Sequence, residues 1–256
     1  MRLMKRILSA AAVLALSASL LVGCSSGTAS SVPVSASSAA ESTVSSVEET
    51  ASSAVDENEA AAAQLLNDLT GSYQELWPVI LADEYKQTWL DDCTALVGED
   101  NAEAAFEKLS SMVTGDVYGE DAVKAYANGG GAYFCGFTNS LATLTFDGET
   151  STISGTDKDG NVLFSHTYHY IGMEPVRGLY EFESDDADSG EFTYFFLAPD
   201  TSAETYHIEF RYGSDAEALS QYDAGEYAYW VASGISTDCD QTMIDNCIEL
   251  FCTENL

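Results

Sequence analysis

The 256-residue sequence predicts an α+β fold: a helical first part, an antiparallel β-barrel or sandwich, and a closing C-terminal helix. Three observations carry this. Apolar residues recur at near-helical spacing between about residues 60 and 109. Short strand-forming runs then follow Gly129, Gly130 and Gly131, and one apolar stripe ends the chain.

The helical part begins at residues 60–69, rich in Ala, Leu and Gln. Tyr85, Trp89 and Leu96 continue the spacing, and Asn101 reads as the N-cap of a run in which Ala102, Ala105, Phe106 and Leu109 share a face. Residues 121–126 add a short helical turn before the three glycines. Strands are expected at 132–137, 141–146, 150–154, 162–170, 179–183, 192–197 and 205–212. Turn dipeptides separate several of them: Asp147-Gly148, Asp159-Gly160, Ser189-Gly190 and Pro199-Asp200. A helix from about Thr237 closes the chain, with Ile244, Cys247, Ile248 and Phe251 on one face.

Ahead of this domain the chain carries an export signal. Arg2, Lys5 and Arg6 precede an uncharged stretch from Ile7 to Leu21, too short to span a bilayer comfortably. It ends in Leu21-Val22-Gly23-Cys24, which looks like the lipobox of bacterial lipoproteins. Residues 1–23 are therefore expected to be removed and Cys24 lipidated, anchoring the chain to the outer face of the bacterial cytoplasmic membrane, or to an outer membrane in a two-membraned host. Residues 24–60 contain no Lys, Arg or aromatic residue and cannot bury enough surface to offset chain entropy, so they read as a disordered tether. The domain proper occupies 61–256.

Loss of the signal removes three of nine bases and no acid, taking the formal charge from −33 to −36. That field excludes nucleic acid and anionic headgroups as partners and concentrates cations. No G-x-S-x-G elbow, H-E-x-x-H, P-loop or G-x-G-x-x-G occurs, so nothing points to an enzyme. Asp157-Lys158-Asp159-Gly160-Asn161 lacks the glutamate of a calcium loop and reads as a hairpin turn, and the acidic run from Glu183 to Glu191 as a solvated connection. Five cysteines remain beyond Cys24: Cys93, Cys135, Cys239, Cys247 and Cys252. Export permits disulfides, yet the odd count leaves at least one thiol; Cys247 reads as core, and Cys239 and Cys252 flank the last helix, either able to pair with Cys93 or Cys135, so the pairing stays open.

Several segments resemble one family. Leu69-Thr70-Gly71-Ser72-Tyr73-Gln74-Glu75-Leu76-Trp77-Pro78-Val79 is similar to the opening of the ZinT (YodA) family. Val176-Arg177-Gly178-Leu179-Tyr180-Glu181-Phe182 and Phe195-Phe196-Leu197-Ala198-Pro199, followed by Tyr206-His207-Ile208, resemble its later strands. The collinear likeness spans about residues 65–252. It implies a calycin/lipocalin-like antiparallel β-barrel with flanking N-terminal helices and a C-terminal helix, zinc as cofactor, and a metal transporter as partner.

The family's three zinc histidines are not all kept. Phe195 stands at the first position, Thr205 at the second, and His207 at the third. His166 and His169, three apart on one strand, should face opposite sides of the sheet. His207 and Glu209, two apart, share a face and with His169 or Glu204 would make a mixed nitrogen–oxygen site for zinc or another divalent ion. Such a site is expected with the His207 ring on the concave side of the sheet. The alternatives are a strand histidine with an ordinary hydrogen-bond partner and, for the whole chain, a barrel that lost its metal and binds a small apolar ligand or a protein.

Overall fold

Period-two alternation, which turns every second side chain to one side of a sheet, organises the chain from Thr143 onward. The computed structural model describes residues 57–199 and 207–256. The signal, Cys24, most of the tether, and Glu204 and Thr205 lie outside these residues. A helical segment through 57–68 (α1) leads into strand β1 (Gly71–Glu75), then α2 (Leu76–Ile80), a 3₁₀ turn (Asp83–Tyr85), α3 (Lys86–Val97), α4 (Glu99–Val113) and α5 (Glu120–Ala127). Six strands follow: β2 (Thr143–Asp147), β3 (Thr152–Thr156), β4 (Val162–Met173), β5 (Tyr180–Ser184), β6 (Tyr194–Leu197) and β7 (His207–Gly213). Short helix α6 (Ala216–Leu219), strand β8 (Ala232–Ser236) and helix α7 (Gln241–Asn255) complete the fold.

The eight strands form a closed antiparallel barrel in simple sequence order, β8 returning to pair with β1. Closure leaves the sheet without an edge strand. Its interior is packed by one parity of each strand: Leu144 and Phe146, Phe164 and Tyr168, Phe182, Phe195, and Ile208, Phe210 and Tyr212, all buried. Gly155, where the β3–β4 register shifts, leaves room for this packing. A Cβ there would lie 2.4 Å from both Leu141 and Phe164.

A second apolar layer lies outside the barrel. Leu76, Trp77 and Ile80 of α2, Trp89 and Cys93 of α3, Ala102, Ala105 and Leu109 of α4, and Ile244, Cys247, Ile248 and Cys252 of α7 pack there with Ile235 of β8. The indole of Trp89 donates to the Ile80 carbonyl at 2.7 Å, tying α3 to α2. Helix α7 starts at Asp240, whose carboxylate accepts the Met243 N–H at 3.0 Å.

The architecture is the α+β barrel the sequence predicts, with differences in its parts. Residues 132–137 make only isolated bridges at Phe134, to Thr114 and to Trp230. Backbone bonds tie residues 133–135 to Met112, Gly115, Tyr229, Val231 and Ser233, and side chains take over beyond them: the Glu75 carboxylate accepts the Phe137 N–H at 2.6 Å and the Tyr212 hydroxyl oxygen that of Thr138 at 2.6 Å. Strands β1 and β8 were not anticipated. Asn101 does not cap α4, which begins two residues earlier at Glu99; its amide donates back to the Val97 carbonyl at 3.0 Å. In α3 the residue one turn after Trp89, Cys93, enters the core, and Leu96 is exposed. Helix α7 begins four residues beyond Thr237.

Candidate functional site

Strand β7 sorts its side chains by parity. Ile208, Phe210 and Tyr212 enter the barrel, which turns His207, Glu209 and Arg211 to its outer wall. The expectation that His207 faces the concave side is thus corrected. Because the strand period is two, the apolar residues that fill the barrel force the imidazole outward.

Outside, His207 and Glu209 line a cleft of about 220 Å³ between the barrel wall and two helices. Leu76, Trp77 and Ile80 of α2 form one side, and Cys247, Leu250, Phe251, Glu254 and Asn255 of α7 another. The cleft therefore joins one imidazole to two carboxylates, one of them from a helix that the sequence reading did not connect with the site. Glu254 was missed because its approach to β7 depends on how α7 docks, which no local pattern records. Among the described residues, no group of three or more His, Cys, Asp or Glu is gathered closely enough to hold a metal ion.

The other sequence candidates separate. His169 lies on β4, separated from β7 by β5 and β6, and its Nδ1 pairs with Asp185 at 2.7 Å. It does not join His207. His166, on the opposite face of β4 as expected, is largely buried, stacks on Phe164 at 6.0 Å and pairs through Nδ1 with Asp186 at 2.8 Å. The acidic connection after β5 thus receives a histidine from each face of β4. Asp157 is consumed by its own turn, accepting the N–H groups of Asp159 and Asn161 at 2.9 Å each. Phe195, at the family's first ligand position, is fully buried inside the barrel against Tyr168, Tyr212 and Phe210, with ring centroids 5.4, 5.4 and 6.3 Å away. Phe195 and His207 consequently stand on opposite faces of the barrel wall.

The third outward residue of β7, Arg211, is fully buried. Its guanidinium donates to the carbonyls of Leu219, Gln221 and Tyr227 and lies 4.4 Å from the centre of the Tyr222 ring. Arg177 lies 4.1 Å from the centre of the same ring. Burial lowers the Arg211 pKa to about 10. Burial, and then the neighbouring Glu174 carboxylate, push the Tyr222 hydroxyl up to about 12. Glu174 is itself buried, accepting the N–H groups of Val176 and Arg177 at 2.8 and 2.7 Å. This cluster fixes the 214–231 connection to the barrel and takes no part in the cleft.

Fold and cleft together define a class: a closed eight-strand antiparallel barrel with helices packed on its outer wall and a polar cleft beneath the last of them. No family model and no curated protein matches the chain. Among solved structures, the chain is similar to the Zn(II)-bound ZinT-like domain of Streptococcus pneumoniae AdcA, at 16% identity and a TM-score of 0.45, covering 72% of this chain and 89% of that one. It is also similar to Zn(II)-bound AdcA from Streptococcus pneumoniae, at 15% identity and a TM-score of 0.42, covering 71% of this chain and 34% of that one. At such identity no site residue transfers from one chain to the other.

Proposed function

We infer that this chain is an exported lipoprotein, anchored through Cys24, that binds zinc or another divalent cation for uptake or homeostasis, in company with a metal transporter of the same membrane. The observation that supports the reading is that His207, Glu209 and Glu254 line one cleft. Imidazole and carboxylate are the donors zinc accepts, and a strongly negative chain draws cations toward them. The donors line the cleft without closing a shell, so an ion must draw them together or recruit a further ligand. Glu204, three residues before His207 in the sequence, is the candidate for that place. His169, held by Asp185, is not one of the ligands in this arrangement.

Calorimetry on metal-free protein tests the reading. Zinc at tens of micromolar should give saturable heat, and His207→Ala and Glu209→Gln should each weaken binding at least roughly tenfold, the usual scale for loss of a ligand or its support. His169→Ala should match the parent. Absence of heat, or a His207→Ala protein that titrates like the parent, overturns the proposal.

A second reading has its own observation. Phe195 fills the barrel where the resembling family places a ligand, and a separate cleft of about 340 Å³ is lined by Leu81, Val113, Phe134 and Cys135 among others. On this reading the barrel binds a small apolar ligand or a protein partner. Native mass spectrometry of protein taken from its host distinguishes the two: a copurifying organic molecule favours this one, bound metal the first.

A further inference from the structure

The sequence leaves the pairing of five cysteines open; the packing of α7 on α3 singles out two of them. The sulfurs of Cys93 in α3 and Cys252 in α7 lie 3.9 Å apart, and both residues have no exposed surface. They belong to the layer that includes Trp89, Ala105, Leu109 and Ile248. Sulfurs at this distance touch. Closing to a bond length of about 2.05 Å requires a relative movement of roughly 2 Å, within reach of side-chain rotation and a small helix adjustment.

We propose that Cys93 and Cys252 are joined by a disulfide in the exported protein, fastening the C-terminal helix to the helical layer beside the barrel. The proposal rests on the export part of the reading above and is independent of metal binding. The oxidant is a protein or small-molecule disulfide of the extracytoplasmic space. One cysteine, as thiolate, attacks that disulfide and expels one of its sulfurs, giving a mixed disulfide. The second cysteine then attacks the mixed disulfide and releases the other. Two protons leave the chain's thiols, and two electrons pass to the oxidant, which departs as its reduced dithiol. Neither residue keeps any exposed surface, so an external oxidant cannot reach the sulfurs once the layer has closed. Bond formation therefore belongs to folding, before α7 has fully docked. The same burial then shields the product from reductants.

Two preparations test this: full-length protein trapped with an alkylating agent as it is extracted from host membranes, and the same protein refolded from denaturant in a glutathione redox buffer. Peptide mapping should find Cys93 linked to Cys252 in both, the linked peptide vanishing on reduction. Both cysteines alkylated in both preparations would show that the sulfurs do not pair. Linkage only after refolding would show that the chain does not meet an oxidant where it resides. Either outcome overturns the proposal. The Cys93→Ser/Cys252→Ser protein should melt about 5–15 °C below the oxidised parent, the range expected for losing a disulfide that closes a long loop. Reductant should lower the parent's melting temperature to a similar degree and leave the variant's unchanged. A parent insensitive to reductant under denaturing conditions also refutes the bond. Zinc calorimetry on the double variant should match the parent, which separates failure here from failure of the metal reading.

Discussion

His207 and Phe195 show how much a single position on a strand decides. One residue's difference in parity sends the imidazole to the outer wall and the phenyl ring into the barrel, where it meets Phe164, Tyr168, Phe210 and Tyr212. Placing at position 195 the histidine of the family that the sequence resembles should therefore fail to build a metal site. Phe195→His places a polar ring in a hydrocarbon cavity with no arranged partner, at a cost of about 2–4 kcal/mol from lost packing and unpaired nitrogen. Urea denaturation should show that loss, with zinc affinity unchanged; a gain in affinity would put His207 and residue 195 on the same face after all. The carboxylates of the cleft divide likewise in legibility. Glu209 was readable because it lies two residues from His207 on one strand. Glu254 was not, since it comes from a helix far along the sequence.

Among the elements, α7 bears on both the cleft and the outer layer. Its stripe of Ile244, Cys247, Ile248 and Phe251 was readable from helical spacing, but its start was not, because Thr237 and Asp240 are both acceptable cap residues. Asp240 prevails, and Asp240→Ala should cost about 1 kcal/mol, measured by thermal or chemical unfolding. If the first turn frays, the helix end at Glu254 should keep its place, so zinc binding should persist while stability falls. Strand β3 offers a complementary case at Gly155. Substitution by Val would drive a side chain into Leu141 and Phe164, destabilising the barrel by about 1–3 kcal/mol. An unchanged denaturation midpoint would mean that the β3–β4 irregularity yields to accommodate it. The strands missed in the sequence, Gly71–Glu75 and Ala232–Ser236, are short and carry Gly, Ser and Ala, residues that local propensity does not favour in sheets. Closure of the barrel recruits them.

For the molecule as a whole, burial of ionisable rings and thiols predicts its response to alkali. Burial raises the Tyr212, Tyr168 and Tyr73 hydroxyls and, with Glu174, the Tyr222 hydroxyl; burial, then Glu209, pushes the Cys135 thiol up to about 12. A group whose folded pKa lies above its unfolded value adds stability below the unfolded value and loses it as pH rises toward the folded one. For Cys135 that window runs from the ordinary thiol value of 9.0 to about 12, and for Tyr222 from the ordinary phenol value of 10.0 to about 12. Stability should thus fall steadily across it, and the ultraviolet tyrosinate band should grow together with loss of the folded circular-dichroism signal. Ionisation of all fourteen tyrosines well before unfolding would mean that the buried rings are open to solvent. Much of this whole was already determined by the sequence alone: the strongly negative charge, the helix–barrel–helix order, and opposite faces for His166 and His169, because charge and residue spacing are local and additive. Only the tertiary structure decided which strands close the barrel, that His207 looks outward, that Glu254 joins it, and that Cys93 lies against Cys252. Each of these depends on where distant segments meet once apolar surface has been buried, and burial is a property of the assembled chain.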